Sequence, residues 1–117
     1  METIHLQRKK IKKFMLEEKE LMLAIDSTSI NHYQKVNKKG FLKALNEIQE
    51  SGQNGEVPIF ELIQLLGSCT HYLTGQPVGV EFFANYDDFD IINTLAPELF
   101  GLFEGNLPTA KGEHEKK

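Results

Sequence analysis

The chain has 117 residues, a formal net charge of −4 and a hydrophobic fraction of 40%, which fits one domain with a modest core. Its single cysteine, Cys69, excludes an internal disulfide and a cysteine-rich zinc site. We find no apolar run of about 20 residues that would span a membrane and no basic-then-apolar secretory signal, so we expect a soluble, cytoplasmic protein.

The N-terminal segment alternates apolar and polar residues on both sides of a basic run. Residues 4–7 and 11–16 have the alternation of half-buried strands. We therefore expect a hairpin, with a third short extended piece near residues 21–25, and with a turn formed by Arg8, Lys9 and Lys10. A helix over residues 11–25 is the alternative, because the glutamates and lysine at positions 17–20 are good helix formers.

Helical patterns dominate the rest of the chain. Residues 26–29 are N-cap types, and apolar residues then recur at helical spacing to position 48, interrupted by Gly40. We expect one bent helix or two short ones there. A central core helix is predicted from Pro58 to about Leu73, where Gly75 and Pro77 stop it.

The C-terminal part continues the helical pattern. We expect a short helix near residues 80–83 and a last helix capped by Asp87 or Asp88, kinked or divided by Pro97. Residues 106–117 have nothing to bury and are predicted to be a disordered tail. The expected fold is a single α+β domain over residues 1–105, mainly helical, with a small N-terminal β-hairpin or sheet.

Residue types that carry chemistry are scattered. The four histidines have no partner at ligand spacing, and the calcium-like run at Asp87 has Ile92 where the loop needs glycine. Cys69 lies on an apolar stripe, and the spacing of Ser68 and His71 has no glycine-rich elbow beside it. We expect no enzyme active site, no cofactor and no metal site.

Charge is divided along the sequence. Residues 1–50 carry a net charge of +3 and residues 51–117 a net charge of −7, with no Lys or Arg between Ser51 and Ala110. Oppositely charged halves favour pairing of one copy with another or with a partner. The candidate protein-binding residues are the basic run and the aromatic and acidic groups of the rear half: Arg8, Lys9, Lys10, Lys12, Lys13, Phe82, Phe83, Asp87, Asp88 and Asp90.

A family resemblance lies in the rear half. Leu73-Thr74-Gly75-Gln76, then Phe82-Phe83, then the run from Asp88 to Leu95 resemble the C-terminal half of tail assembly chaperones of long-tailed phages and prophages of Gram-positive bacteria. The resemblance covers residues 55–105, and the front half matches in layout alone.

The resemblance implies a non-enzymatic role in the cytoplasm of the host cell. Such chaperones bind the long helical tape-measure protein, keep it soluble and recruit tail-tube subunits. A protein that coats a filament must repeat along it, so we expect head-to-tail self-association that weakens as salt rises. The alternative function is a small nucleic-acid-associated regulator that uses the basic N-terminal run on phosphates.

Overall fold

The computed structural model describes residues 1–106, without the side chains of Gln53, Gly105 and Asn106. Three strands are present, β1 (Ile11–Leu16), β2 (Lys19–Ala24) and β3 (Thr70–Tyr72). Four α-helices and one 3₁₀ helix accompany them: α1 (Ser27–Asn37), α2 (Phe41–Gln53), α3 (Ile59–Cys69), the 3₁₀ helix (Val80–Phe83) and α4 (Asp88–Asn106). The predicted tail lies outside the described residues, except for Asn106, which ends α4.

The strands form one antiparallel sheet in the order β1-β2-β3. Helix α4 packs on this sheet and on α3, and α1 also packs on α3. The predicted α+β class, mainly helical with a small N-terminal sheet in a single domain, is therefore confirmed.

The hairpin lies further along the chain than predicted, because residues 11–16 form its first strand and not its second. β1 pairs with β2, with Phe14 opposite Leu21, and the turn is Glu17-Glu18. Residues 1–10 have no regular secondary structure, so the predicted strand at residues 4–7 and the basic turn are wrong, as is the alternative helix over residues 11–25. Register explains the choice, because it places Leu21 and Leu23 in the core.

Of the two predicted possibilities, one bent helix or two short ones, the structure has two helices. Helix α1 ends at Asn37, and Lys38 adopts a left-handed conformation with φ of 56°. Gly40, which interrupts the sequence pattern, is the residue before α2. Tyr33 and Phe41 then meet edge to face across the break, with ring centres 5.8 Å apart, so the break serves core packing.

Helix α3 is shorter than predicted. It ends at Cys69, because Thr70 turns to an extended conformation and pairs with Leu23 of β2. Helix α4, in contrast, continues past Pro97 instead of dividing there. Buried residues on both sides of the proline, among them Leu95, Ala96 and Leu99, hold the two halves of α4 to the same core.

The core is formed mainly by Leu23 of the sheet and the apolar faces of the four helices. In the part of the chain that the structure describes, none of the helices is both long enough and apolar enough to cross a membrane.

Candidate functional site

The basic run extends from an irregular N-terminal segment into the first strand. Arg8, Lys9 and Lys10 belong to the N-terminal arm, which we define as residues 1–10 and which is exposed throughout. The Lys9 Nζ lies 2.7 Å from an Asp26 carboxylate oxygen. That carboxyl is partly desolvated, yet its bonds with Lys9 and Ser29 outweigh desolvation and hold its pKa below the ordinary value.

Lys12 and Lys13 lie on β1 and point to opposite faces of the sheet, as successive strand residues do. The Lys12 Nζ is 3.3 Å from Glu98 of α4. Lys9 and Lys12, both among the five basic residues of the predicted binding run, therefore form ion pairs with acidic groups of the same chain. Because these ammonium groups are already paired, the basic run is less suited to bind nucleic-acid phosphates than its sequence suggests.

A groove with an apolar floor lies between β1 and α4, with a volume of about 270 Å³. We call it the β1–α4 groove. Its floor combines side chains of the sheet, the 3₁₀ helix and α4: Phe14, Leu23, Phe83, Ile91 and Leu95. Its rim on α4 is the row Asp90, Thr94 and Glu98, spaced four residues apart on one helix face.

Polar pairs bound the groove. The Lys12–Glu98 ion pair links its β1 side to its α4 side. Tyr86, which also lines the groove, bonds Glu17 of the hairpin turn. Desolvation and this carboxylate raise the pKa of the Tyr86 hydroxyl above its ordinary value, so Tyr86 stays a neutral donor.

An aromatic cluster adjoins the groove. Phe82 meets Tyr72 edge to face at 6.1 Å between ring centres, and it also contacts Phe83 at 5.3 Å and Tyr86 at 6.3 Å. The Lys19 ammonium lies 5.4 Å from the centre of the Phe82 ring, within cation–π range. Tyr72 is 40% exposed and Phe82 is half-buried, so the cluster offers an amphipathic surface of the kind enriched in protein interfaces.

The other candidate residues divide by burial. Phe83 is buried and belongs to the core, so its ring is not a free surface group. Asp87 caps α4, because its carboxylate accepts from the Asp90 backbone N–H at 3.0 Å. Asp88 and Asp90 are exposed in the first turn of α4, where negative charge favours the helix dipole. Asp90 alone of the three lines the β1–α4 groove.

Ser29, in the first turn of α1, and His71 of β3 form a buried hydrogen-bonded pair. The His71 Nε2 lies 3.1 Å from the Ser68 carbonyl oxygen and 2.9 Å from the Ser29 Oγ. Since a carbonyl only accepts, Nε2 carries the proton of the neutral ring. The Ser29 hydroxyl therefore accepts from His71 and donates to the Ala24 carbonyl, 2.7 Å away. Burial lowers the pKa of His71, although the Asp26 charge opposes this.

Ser68 interacts with a different histidine from the one that its spacing suggested. Its hydroxyl lies 2.8 Å from His32 Nδ1 of α1, while His71 contacts the Ser68 carbonyl. Ser68 is 1% exposed, so its hydroxyl is shielded from solvent. The hydrogen bond between His32 and Ser68 connects α1 to α3. Burial also raises the pKa of the Cys69 thiol well above its ordinary value, which keeps it from forming the reactive thiolate.

Sequence reasoning missed the β1–α4 groove and both serine–histidine pairs. The row of Asp90, Thr94 and Glu98 is a visible four-residue spacing, but nothing in the sequence says that β1 lies opposite it. The described residues hold no group of three or more histidine, cysteine or acidic side chains arranged to bind a metal ion.

Comparison of the chain with protein-family models, with curated proteins and with solved structures finds no match.

Proposed function

We propose that this chain is a tail assembly chaperone of a long-tailed phage or prophage, acting in the host cytoplasm. It would bind the helical tape-measure protein, keep it soluble and recruit tail-tube subunits, without catalysing a reaction. The observation that carries the proposal is the aromatic cluster of Tyr72, Phe82 and Tyr86, joined to the β1–α4 groove.

This surface suits an apolar helix of a client protein. Tyr and Phe supply large contact areas with few side-chain rotations to fix, and they dominate the energy of many protein interfaces. The surface also lies beside acidic groups of α4 and one ammonium, Lys19. An amphipathic client helix that lies on the aromatic cluster would therefore meet apolar and charged groups together.

The first test is genomic. A long gene for a helical coiled-coil protein immediately downstream supports the proposal. The protein it encodes is then co-expressed with this chain, and its soluble fraction is measured. We expect the client to precipitate alone and to stay soluble with the wild-type chain.

A matched pair of double variants tests the surface. Tyr72→Ala with Phe82→Ala removes two aromatic rings from the cluster. Phe60→Ala with Phe89→Ala removes two exposed rings, 65% and 59% exposed, from α3 and α4 outside it. We expect client affinity to fall about tenfold or more for the first pair and little for the second. Equal affinities for the two double variants, both with wild-type circular dichroism, would count against this surface.

The alternative function, nucleic-acid binding, is tested by measuring retention of the same protein on a DNA column. Retention on a DNA column that is lost when Lys9, Lys10, Lys12 and Lys13 are changed to Gln would favour it. The ion pairs of Lys9 with Asp26 and of Lys12 with Glu98 argue for weak retention in the wild type.

A further inference from the structure

The N-terminal arm presents apolar side chains to solvent. Ile4 is 77% exposed and Leu6 is 88% exposed. In an extended chain, residues two apart lie on the same face, so Ile4, Leu6 and Arg8 would form one row. An exposed alternating segment of this kind has the pattern of a strand but lacks a partner strand in the described fold.

Strand β1 offers a place for such a partner. It is an edge of the sheet, paired on one side with β2 and unpaired on the other. Unpaired backbone N–H and C=O groups at an edge accept an added strand from another chain. The inward side chains of β1 include Phe14, which lines the β1–α4 groove. An added strand would therefore direct alternate side chains toward the same groove.

The arm of the same copy is held away from this edge. Lys9 bonds Asp26 at the start of α1, beyond the end of β1 where Ile11 pairs with Ala24. To reach its own groove, the arm would have to reverse direction within residues 7–10 and break this ion pair. A second copy has no such constraint, because its arm arrives from outside.

Size and charge fit this occupant. An apolar cavity of about 150 Å³ holds one benzene ring, and the groove has about 270 Å³, which is room for two aliphatic side chains. β1 has six residues and spans about 20 Å, which a comparable length of the arm can cover. Arg8 follows Ile4 and Leu6 on the same face, and the acidic rim supplies Asp90 and Glu98.

We propose that the N-terminal arm of one copy adds as a strand to β1 of a second copy, with Ile4 and Leu6 in the β1–α4 groove. Each copy then has one arm and one groove, so the contact joins two different surfaces. Contacts of this kind form open chains, or rings where the rotation closes. The proposal goes beyond the proposed function: it gives a contact for the head-to-tail self-association that we expect from the sequence, and it requires no client.

The test is the oligomeric state of the full chain by sedimentation across a range of concentrations. We expect the wild type to associate. Ile4→Asp with Leu6→Asp should weaken association by about tenfold or more, because two buried apolar groups are lost and charge is placed in an apolar groove. These positions are exposed in the single copy, so the fold should be unchanged by circular dichroism. Val57→Asp, at a position 56% exposed outside the groove, is the matched control.

Mixing two defective variants tests the pairing itself. Thr94→Trp places a bulky ring on the groove rim while leaving the arm intact, and Ile4→Asp with Leu6→Asp leaves the groove intact. Each variant alone should be monomeric, and their mixture should form a one-to-one complex joined by the good arm and the good groove. Hydrogen exchange in that complex should slow at Ile11–Leu16 of the copy with the good groove.

Two results would overturn the proposal: a wild type that is monomeric at every concentration, or an arm variant that associates as the wild type does. Absence of the complex in the mixture, with both variants folded, would overturn it as well. The client-solubility assay separates these failures from failure of the chaperone role. If an arm variant associates as the wild type does and also keeps the client soluble, the arm contact is refuted and the chaperone role is not.

Discussion

Gly67 lies inside α3, where the start of the 3₁₀-helix segment approaches it closely. A Cβ added at this position would lie 2.7 Å from the Gly79 carbonyl carbon and 2.8 Å from the Val80 nitrogen. The same contact includes a hydrogen bond, since the Gly79 N–H donates to the Gly67 carbonyl at 2.9 Å. The neighbouring atoms are backbone, so relief requires the segment 79–83 to move away from α3.

The change Gly67→Ala therefore combines two opposite effects on the free energy of unfolding. Alanine gains up to about 1 kcal/mol over glycine in a helix interior. Overpacking costs about 1 to 3 kcal/mol, and loss of the bond to Gly79 would add about 1 kcal/mol. We expect a net loss of about 1 to 3 kcal/mol, which for a domain of this size lowers Tm by about 4 to 20 °C.

Gly101 is the matched control, because it also lies in a helix and a Cβ there meets nothing within 4 Å. Gly101→Ala should raise the free energy of unfolding by up to about 1 kcal/mol. Both variants are measured by urea unfolding with circular dichroism as the signal. A Gly67→Ala variant as stable as the wild type would refute the reasoning from the close approach, whatever Gly101→Ala does.

Two further predictions concern the buried polar groups. Burial lowers the pKa of His71 from 6.5, so the unfolded chain takes up a proton at a higher pH than the folded one. The free energy of unfolding should therefore fall as pH decreases from about 7 to 5, and the fall should be smaller in His71→Gln. Urea unfolding at a series of pH values measures this, and an equal fall in the wild type and in the variant would contradict it. Thr70 has a fully buried Oγ1 without a hydrogen-bond partner among the described residues. Because that hydroxyl is desolvated without compensation, Thr70→Val should leave stability unchanged or raise it by about 1 kcal/mol, and a clear drop in Tm would show that the hydroxyl is bonded.

Local signals in the sequence predicted much of the fold. The N-cap cluster at residues 26–29 marked the start of α1 correctly, where the Asp26 carboxylate accepts from the Ser29 N–H at 3.0 Å. The hairpin was misplaced because its turn lacks a turn signature. Glu17 takes a positive φ of 58°, which is unusual for a glutamate. The basic residues at positions 8–10 have the polar character of a turn, but they precede the first strand.

The end of α3 shows a tertiary effect that no local pattern contains. The apolar stripe continues through Tyr72 at helical spacing, yet Thr70–Tyr72 forms β3 because β2 offers it an edge. His71 thereby leaves the helix and reaches Ser29. The serine–histidine pairs and the groove all depend on contacts between segments distant in the sequence, so the sequence supplied the residue types without their partners.

The division of charge along the sequence places acidic residues on the rim of the β1–α4 groove. The lack of Lys and Arg after residue 50 leaves Asp90 and Glu98 as the charged groups on the α4 rim of the groove. Lys12, from β1, already pairs with Glu98 within one copy. A docked Arg8 would thus compete with or join this exposed pair, and exposed pairs contribute only about 0 to 1 kcal/mol. The apolar contact of Ile4 and Leu6 must then supply most of the affinity, while charge sets the orientation. Added salt should weaken self-association only modestly, whereas loss of the two aliphatic side chains should weaken it by about tenfold or more.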